Sequence, residues 1–110
     1  MGVNAIIRAA VFNHLQALKA MGQAIGSDRL AVEINSQPAV NGLTALHDSV
    51  LRASTAGEER LEGYLEQIRW LVRSGARTDI EDFAGITQRM IAESIQDEQR
   101  RSLLLDALGS

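Results

Sequence analysis

The chain has 110 residues, 45% of them hydrophobic, a formal net charge of −3 and no cysteine. That is one domain's worth of chain with enough apolar surface to fold without staples, and it excludes a disulfide framework and any thiolate chemistry. Basic residues are scattered, Arg100-Arg101 being the longest run, so the clustered cationic footprint that phosphate backbones require is missing and nucleic acid is not an expected partner.

One proline and two phenylalanines argue against an all-β fold, and helical periodicity is plentiful. From Asn4 to Ile25 the chain reads NAIIRAAVFNHLQALKAMGQAI. Ile6, Ile7 and Ala10 share one apolar face; Leu15, Leu18, Met21 and Ile25 share another. Asn13 lies between them and tolerates the left-handed conformation that ends a helix. Two short antiparallel helices joined near Asn13 are expected. No apolar run approaches the roughly 20 residues of a membrane span, and the N-terminus lacks the pattern of a secretory signal. A soluble, cytoplasmic chain with no membrane partner is the expectation. Ten of the eleven basic residues are arginine, in keeping with a GC-rich bacterial source.

Gly26-Ser27 reads as a helix stop and Pro38 excludes a helix interior, so a loop with a little extended structure is expected over residues 26–41. Thr44 is placed to cap a helix running ALHDSVLRAS from Ala45. STAGEE interrupts it, and a longer helix follows from about Glu58 to Ser74. Its apolar stripe is Leu61, Leu65, Ile68, Leu71 and Val72, flanked by Glu62, Glu66, Arg69 and Arg73. Gly75 supplies the stop. After the polar connection RTDIEDFA, Gly85-Ile86-Thr87 opens the helix QRMIAESI, and Asp97 is placed to cap EQRRSLLLDAL.

Gly42-Leu43-Thr44 and Gly85-Ile86-Thr87 match each other 43 residues apart. With Leu46 and His47, then Leu71-Val72-Arg73-Ser74-Gly75-Ala76, then Asp82-Phe83-Ala84-Gly85, they reproduce in order the phrases of an ankyrin repeat passing into the next. The chain therefore resembles the ankyrin repeat family over most of its length, as about three repeats near residues 3–35, 36–78 and 79–108. The terminal repeats are degenerate, as capping repeats are. Ala45 and Gln88 replace the family proline, and Arg89 and Met90 stand where Leu and His are expected. Against a standard length of about 33 residues, an insertion of about 10 residues falls between Val50 and Leu65, and another near 26–39. Loop lengthening costs only about 0.6 kcal/mol per doubling.

The resemblance implies an all-α fold, a stack of antiparallel helix pairs joined by hairpin loops. It makes His47 structural, bonding groups of the adjoining turn, and His14 likewise. The His47–Asp48 pair has no visible nucleophile or third group, as catalysis would require. Two histidines 33 residues apart make a poor metal site. No enzyme activity, cofactor or metal is expected. Carrying over the family's contact positions gives Val11 and Phe12 in the first repeat. The second repeat contributes Val40, Asn41, Leu43, Leu51 and Arg52. The third contributes Glu81, Phe83, Ala84, Ile86, Ser94 and Ile95. Leu51 and Ile95 are equally readable as core, whereas Phe83 falls at a hairpin tip.

Trp70 lies opposite the apolar stripe of its helix. It is either a binding anchor or a side chain covered by the segment from Arg52 to Glu59. Glu58, Glu59, Glu62 and Glu66 form an acidic face, solvated or facing a basic partner. The expected function is a protein–protein interaction module working through the concave hairpin and first-helix face. The alternative is an inhibitor, a bacterial immunity-type protein that neutralises one toxin or enzyme. A homodimer through the same patch is a further alternative.

Overall fold

The computed structural model describes residues 15–37 and 42–109, and in these the chain is helical with no strand. The helices are α1 (Leu15–Ile25), α2 (Ser27–Ile34), α3 (Ala45–Thr55), α4 (Glu58–Arg73), α5 (Gln88–Glu93) and α6 (Glu98–Ala107). The expected helix joint at Asn13, and the contact positions Val11, Phe12, Val40 and Asn41, lie outside the described residues, as does His14. No helix among the described residues is long and apolar enough to cross a membrane.

The ends of these helices follow from local chemistry. Gly26 has φ +87°, which breaks α1, and α2 starts at the next residue. The loop expected over residues 26–41 is therefore overturned at Ser27–Ile34. Leu30 and Ile34, one turn apart, are both buried and hold that helix down, with Asp28 in its first turn favoured by the dipole. Pro38 falls beyond it and excludes nothing. α4 ends in a Schellman motif: Ala76 N–H donates to Leu71 O at 2.9 Å and Gly75 N–H to Val72 O at 3.1 Å. Gly75, at φ +108°, supplies the left-handed residue the motif needs. Asp97 caps α6 as expected, its Oδ1 accepting from Arg100 N at 3.0 Å.

The extra residues between Val50 and Leu65 form no loop. They lengthen α3 to Thr55 and let α4 begin at Glu58, leaving only Ala56 and Gly57 between. Consecutive helices pack as pairs, α1 on α2, α3 on α4 and α5 on α6. The last two pairs also meet through α3 with α5 and α4 with α6. One core runs through the whole. It joins Leu18, Leu30 and Ile34 to Leu46, Val50, Leu65, Ile68 and Leu71, and these to Ile91, Ala92 and Leu104. Each such Leu or Ile contributes about 1.5–3 kcal/mol by leaving water. The predicted α4 stripe is this core face, although Val72 at its edge is only half-buried.

Both faces of α4 are used, because helices lie on more than one side of it. Tyr64 and Gln67 are buried as well. Gln67 Nε2 donates to Ser49 Oγ at 2.8 Å, and Ser49 Oγ donates to Ala45 O at 3.0 Å, so polar groups inside the α3–α4 pair are tied together.

Candidate functional site

The two matching phrases build the same turn twice. Gly42 and Gly85 take φ +77° and +82°, which glycine adopts freely and other residues only with strain. Thr44 and Thr87 then cap α3 and α5, their hydroxyls accepting from His47 N at 3.3 Å and Met90 N at 3.1 Å. The third helical residue answers with its own side chain. His47 Nδ1 accepts from Thr44 N at 3.0 Å, and Met90 Sδ accepts from Thr87 N at 3.5 Å.

His47 goes further than its counterpart. It is fully buried, and its Nε2 lies 2.9 Å from Ile86 O. Since Nδ1 is the acceptor, the proton sits on Nε2 and is donated to that carbonyl. The first turn is thereby bonded to the second. Gln88 makes the return link: its Nε2 donates to Thr44 Oγ1 at 3.0 Å and its Oε1 accepts from Ile80 N at 3.2 Å. Both ring nitrogens of His47 are engaged by backbone. Asp48 beside it turns to Arg52, 3.0 Å away. Burial raises the Asp48 carboxyl above its ordinary range, against the opposing hydrogen bond and charge of Arg52.

The segment between the turns ends in a pinned tip. Asp82 Oδ1 accepts from Ala84 N at 2.8 Å and Ile86 N at 2.9 Å. Backbone bonds run from Asp82 N to Ile86 O and from Gly85 N to Asp82 O. These donors, Ile86 N–H foremost, hold the Asp82 carboxyl below its usual range. Gln37, which the sequence did not single out, donates from Nε2 to Gly42 O and to Glu81 O, both at 2.8 Å. It fastens the tip to the preceding turn.

Phe83 stands on this tip with 70% of its surface exposed. One part of the ring rests on Gly42, where an added Cβ would come within 2.5 Å of Phe83 Cδ1. Glu81 and Ala84 beside it are exposed, and among the described residues Glu81 bonds only through its backbone oxygen. Leu43 is half-buried. Ile86 is half-buried and packs on the core, so its side chain is not displayed on the tip as Phe83 is.

Leu51 and Ile95, left open between surface and core, separate. Leu51 is 40% exposed, whereas Ile95 is half-buried against the core. The structure nevertheless brings them together with Ser94, along a shallow groove of about 430 Å³ completed by Ile91, Gln96 and Asp97. Arg52 is exposed one residue away, paired with Asp48.

Trp70 is half-buried and packs against the core. Its ring reaches toward the first helix pair. A Cβ on Gly22 of α1 would lie 3.5 Å from it, and it shares a small cleft with Lys19, Leu30 and Ser74. Of the acidic face, Glu58 meets Arg100 at 3.4 Å and Glu62 meets Arg69 at 3.1 Å, which partly neutralises it. The Arg100-Arg101 run is also accounted for: both guanidinium groups bond backbone carbonyls within the fold. No protein-family model matches the chain, and no curated protein and no solved structure matches it.

Proposed function

We propose that this chain is an ankyrin-type protein-binding module of the cytoplasm, engaging a partner protein through its hairpin tips and the first helix of each pair, α3 and α5. The observation that carries this reading is Phe83, a large apolar side chain left 70% exposed on a tip held by several hydrogen bonds. An aromatic side chain displayed on a pre-set support binds with little ordering cost, and nothing in the folding of the chain calls for that exposure. The duplicated Gly-x-Thr turn supports the ankyrin likeness, as does the His47 bond from one turn to the next. A binding role, not a catalytic one, is supported by the engagement of both His47 nitrogens with backbone.

The test is capture of partner from source-cell lysate by the wild-type chain beside Phe83→Asp and Leu51→Asp. Any captured protein is then purified and its binding remeasured as a pure pair. The expected result is one protein bound by wild type and lost on Phe83→Asp while the melting temperature is kept. Equal binding by all three chains would place the working surface elsewhere. If the bound protein is an enzyme or toxin, loss of its activity in the complex would identify the inhibitor form of this function.

A further inference from the structure

We propose that the partner surface received by the Phe83 tip is a cationic one, an apolar recess bordered by arginine or lysine side chains; this rests on the reading of that tip as the binding surface. The argument is one of charge balance around an exposed aromatic ring.

Phe83 follows Glu81 and Asp82 in sequence, and the tip that carries them is fixed in place. Asp82 directs its Oδ1 to the amides of Ala84 and Ile86, which orders the side chain without supplying a counter-charge. Glu81 is exposed and forms no ion pair among the described residues. The nearest cation along the chain, Arg77, is already bound to Asp79 through two bonds of 3.0 and 3.1 Å. Along the neighbouring first helices the charges cancel within each helix, Arg52 with Asp48 and Arg89 with Glu93. The uncompensated charge of this face therefore sits at the tip, beside its most exposed apolar group.

A partner that buries Phe83 must bring the tip carboxylates out of water. Burying a carboxylate without a counter-charge costs several kcal/mol, and a like charge opposite adds to that cost. A neutral apolar patch would gain the ring and lose on the carboxylates. A patch rimmed by Arg or Lys gains on both, and Arg also lies well against an aromatic face. The earlier acidic helix face around Glu58 and Glu62 lacks this combination, since arginines of the chain already meet it and no exposed aromatic stands there.

The experiment uses a random peptide library displayed on phage, selected on the immobilised intact chain. Enriched peptides are then synthesised and titrated against wild type, Phe83→Asp and Glu81→Lys. Among the described residues Glu81 bonds only through its backbone oxygen, so Glu81→Lys is expected to keep the wild-type melting temperature, which is measured beside the titrations. The expected result is peptides that pair apolar residues with Arg or Lys. Their affinity falls about tenfold or more on either substitution and weakens with added salt. Peptides lost on Phe83→Asp but indifferent to Glu81→Lys and to salt would overturn the cationic partner while leaving the binding surface standing. Peptides indifferent to both substitutions, or no enrichment at all, would overturn the inference, and indifference to Phe83→Asp would overturn the proposed surface with it.

Discussion

His47 and Met90 hold the same place in two turns of one design, and they do unequal amounts of work. The imidazole is buried and bonds two backbone groups, Thr44 N–H and Ile86 O. The thioether is 44% exposed and offers only a weak acceptor at 3.5 Å. Replacing His47 by Ala strands the Thr44 amide, leaves Ile86 O with only its bond from Asp82 N–H, and opens a cavity. An orphaned buried donor costs about 1–3 kcal/mol and the cavity adds to it, so His47→Ala should lower stability by about 2–4 kcal/mol. Met90→Ala should lower it by less than about 1 kcal/mol. Urea denaturation of both variants reads the contrast, and an unchanged midpoint for His47→Ala would remove the structural role. Asp48, next along α3, behaves differently with pH. Burial raises its carboxyl pKa in the folded chain, so ionisation is disfavoured by folding. Its contribution is fully present below the unfolded carboxylate range and is lost as pH rises through the folded value. Asp48→Asn should therefore match wild type in acid and exceed it near neutral pH, by less than about 1 kcal/mol because Arg52 offsets part of the cost. A variant less stable than wild type at neutral pH would show that the Arg52 pair outweighs burial.

Among the helices, α3 depends on a residue that lies far along the chain. Arg100 of α6 donates from Nη1 to Ala53 O at 2.9 Å and Ala56 O at 2.7 Å, with Ser54 O at 3.4 Å. Those carbonyls end α3 and have no helical partner of their own, and a cation there also suits the dipole. Arg100→Ala should cost about 2–3 kcal/mol by leaving them unpaired. Arg100→Lys should recover only part, because the shorter lysine side chain does not carry its ammonium as far as the Nη1 position that serves all three carbonyls. Glu58→Gln should change little, since that carboxylate is 87% exposed. Thermal melts of the three variants test the ranking, and equal losses for Arg100→Ala and Glu58→Gln would show that the ion pair mattered instead of the carbonyls. Nothing in the run Arg100-Arg101 announces this role, because the carbonyls it serves are placed by folding. The limits of sequence reading follow the same line elsewhere. The α4 stripe and the Thr44 and Asp97 caps were legible, since each is a local pattern. The helix α2 was not, because its signal is just Leu30 and Ile34, set between a glycine and a proline. Phe83 was legible as a tip residue from its phrase. Gln37, which fastens that tip, and the side of Trp70 that is covered depend on which helix pair lies alongside, and local periodicity carries no such information.

At the scale of the whole molecule, the two joints between helix pairs are built differently. The α3–α4 pair meets the α5–α6 pair through buried and part-buried links, Gln88 to Thr44, His47 to Ile86 and Arg100 to the end of α3. Among the described residues, the α1–α2 pair is tied to the segment just after α4 by Asn35, at the end of α2. Asn35 Nδ2 donates to Gly75 O at 2.9 Å and Asn35 Oδ1 accepts from Arg77 N at 2.8 Å. Beside it Ala31 approaches Gly75 and the Trp70 ring approaches Gly22. In a row of packed pairs, stability is close to a sum of pair terms and nearest-neighbour interfaces. Weakening one joint should then loosen one end and spare the other. Asn35→Ala removes the inter-pair bonds of the first joint and none of the second. The single tryptophan of the chain sits at that first joint, so its fluorescence reports undocking there, while far-UV circular dichroism reports all the helices. In wild type the two urea transitions should coincide. In Asn35→Ala the fluorescence transition should move to lower urea, by the equivalent of about 1–3 kcal/mol, ahead of most of the dichroism change. If both signals shift together by the same amount, the pairs unfold as one unit and the bonds of Asn35 stabilise the whole molecule at once. If they separate, the Phe83 tip keeps its support on the α3–α6 side while the first pair comes away, and peptide binding at the tip should survive at urea concentrations where Trp70 has already reported opening.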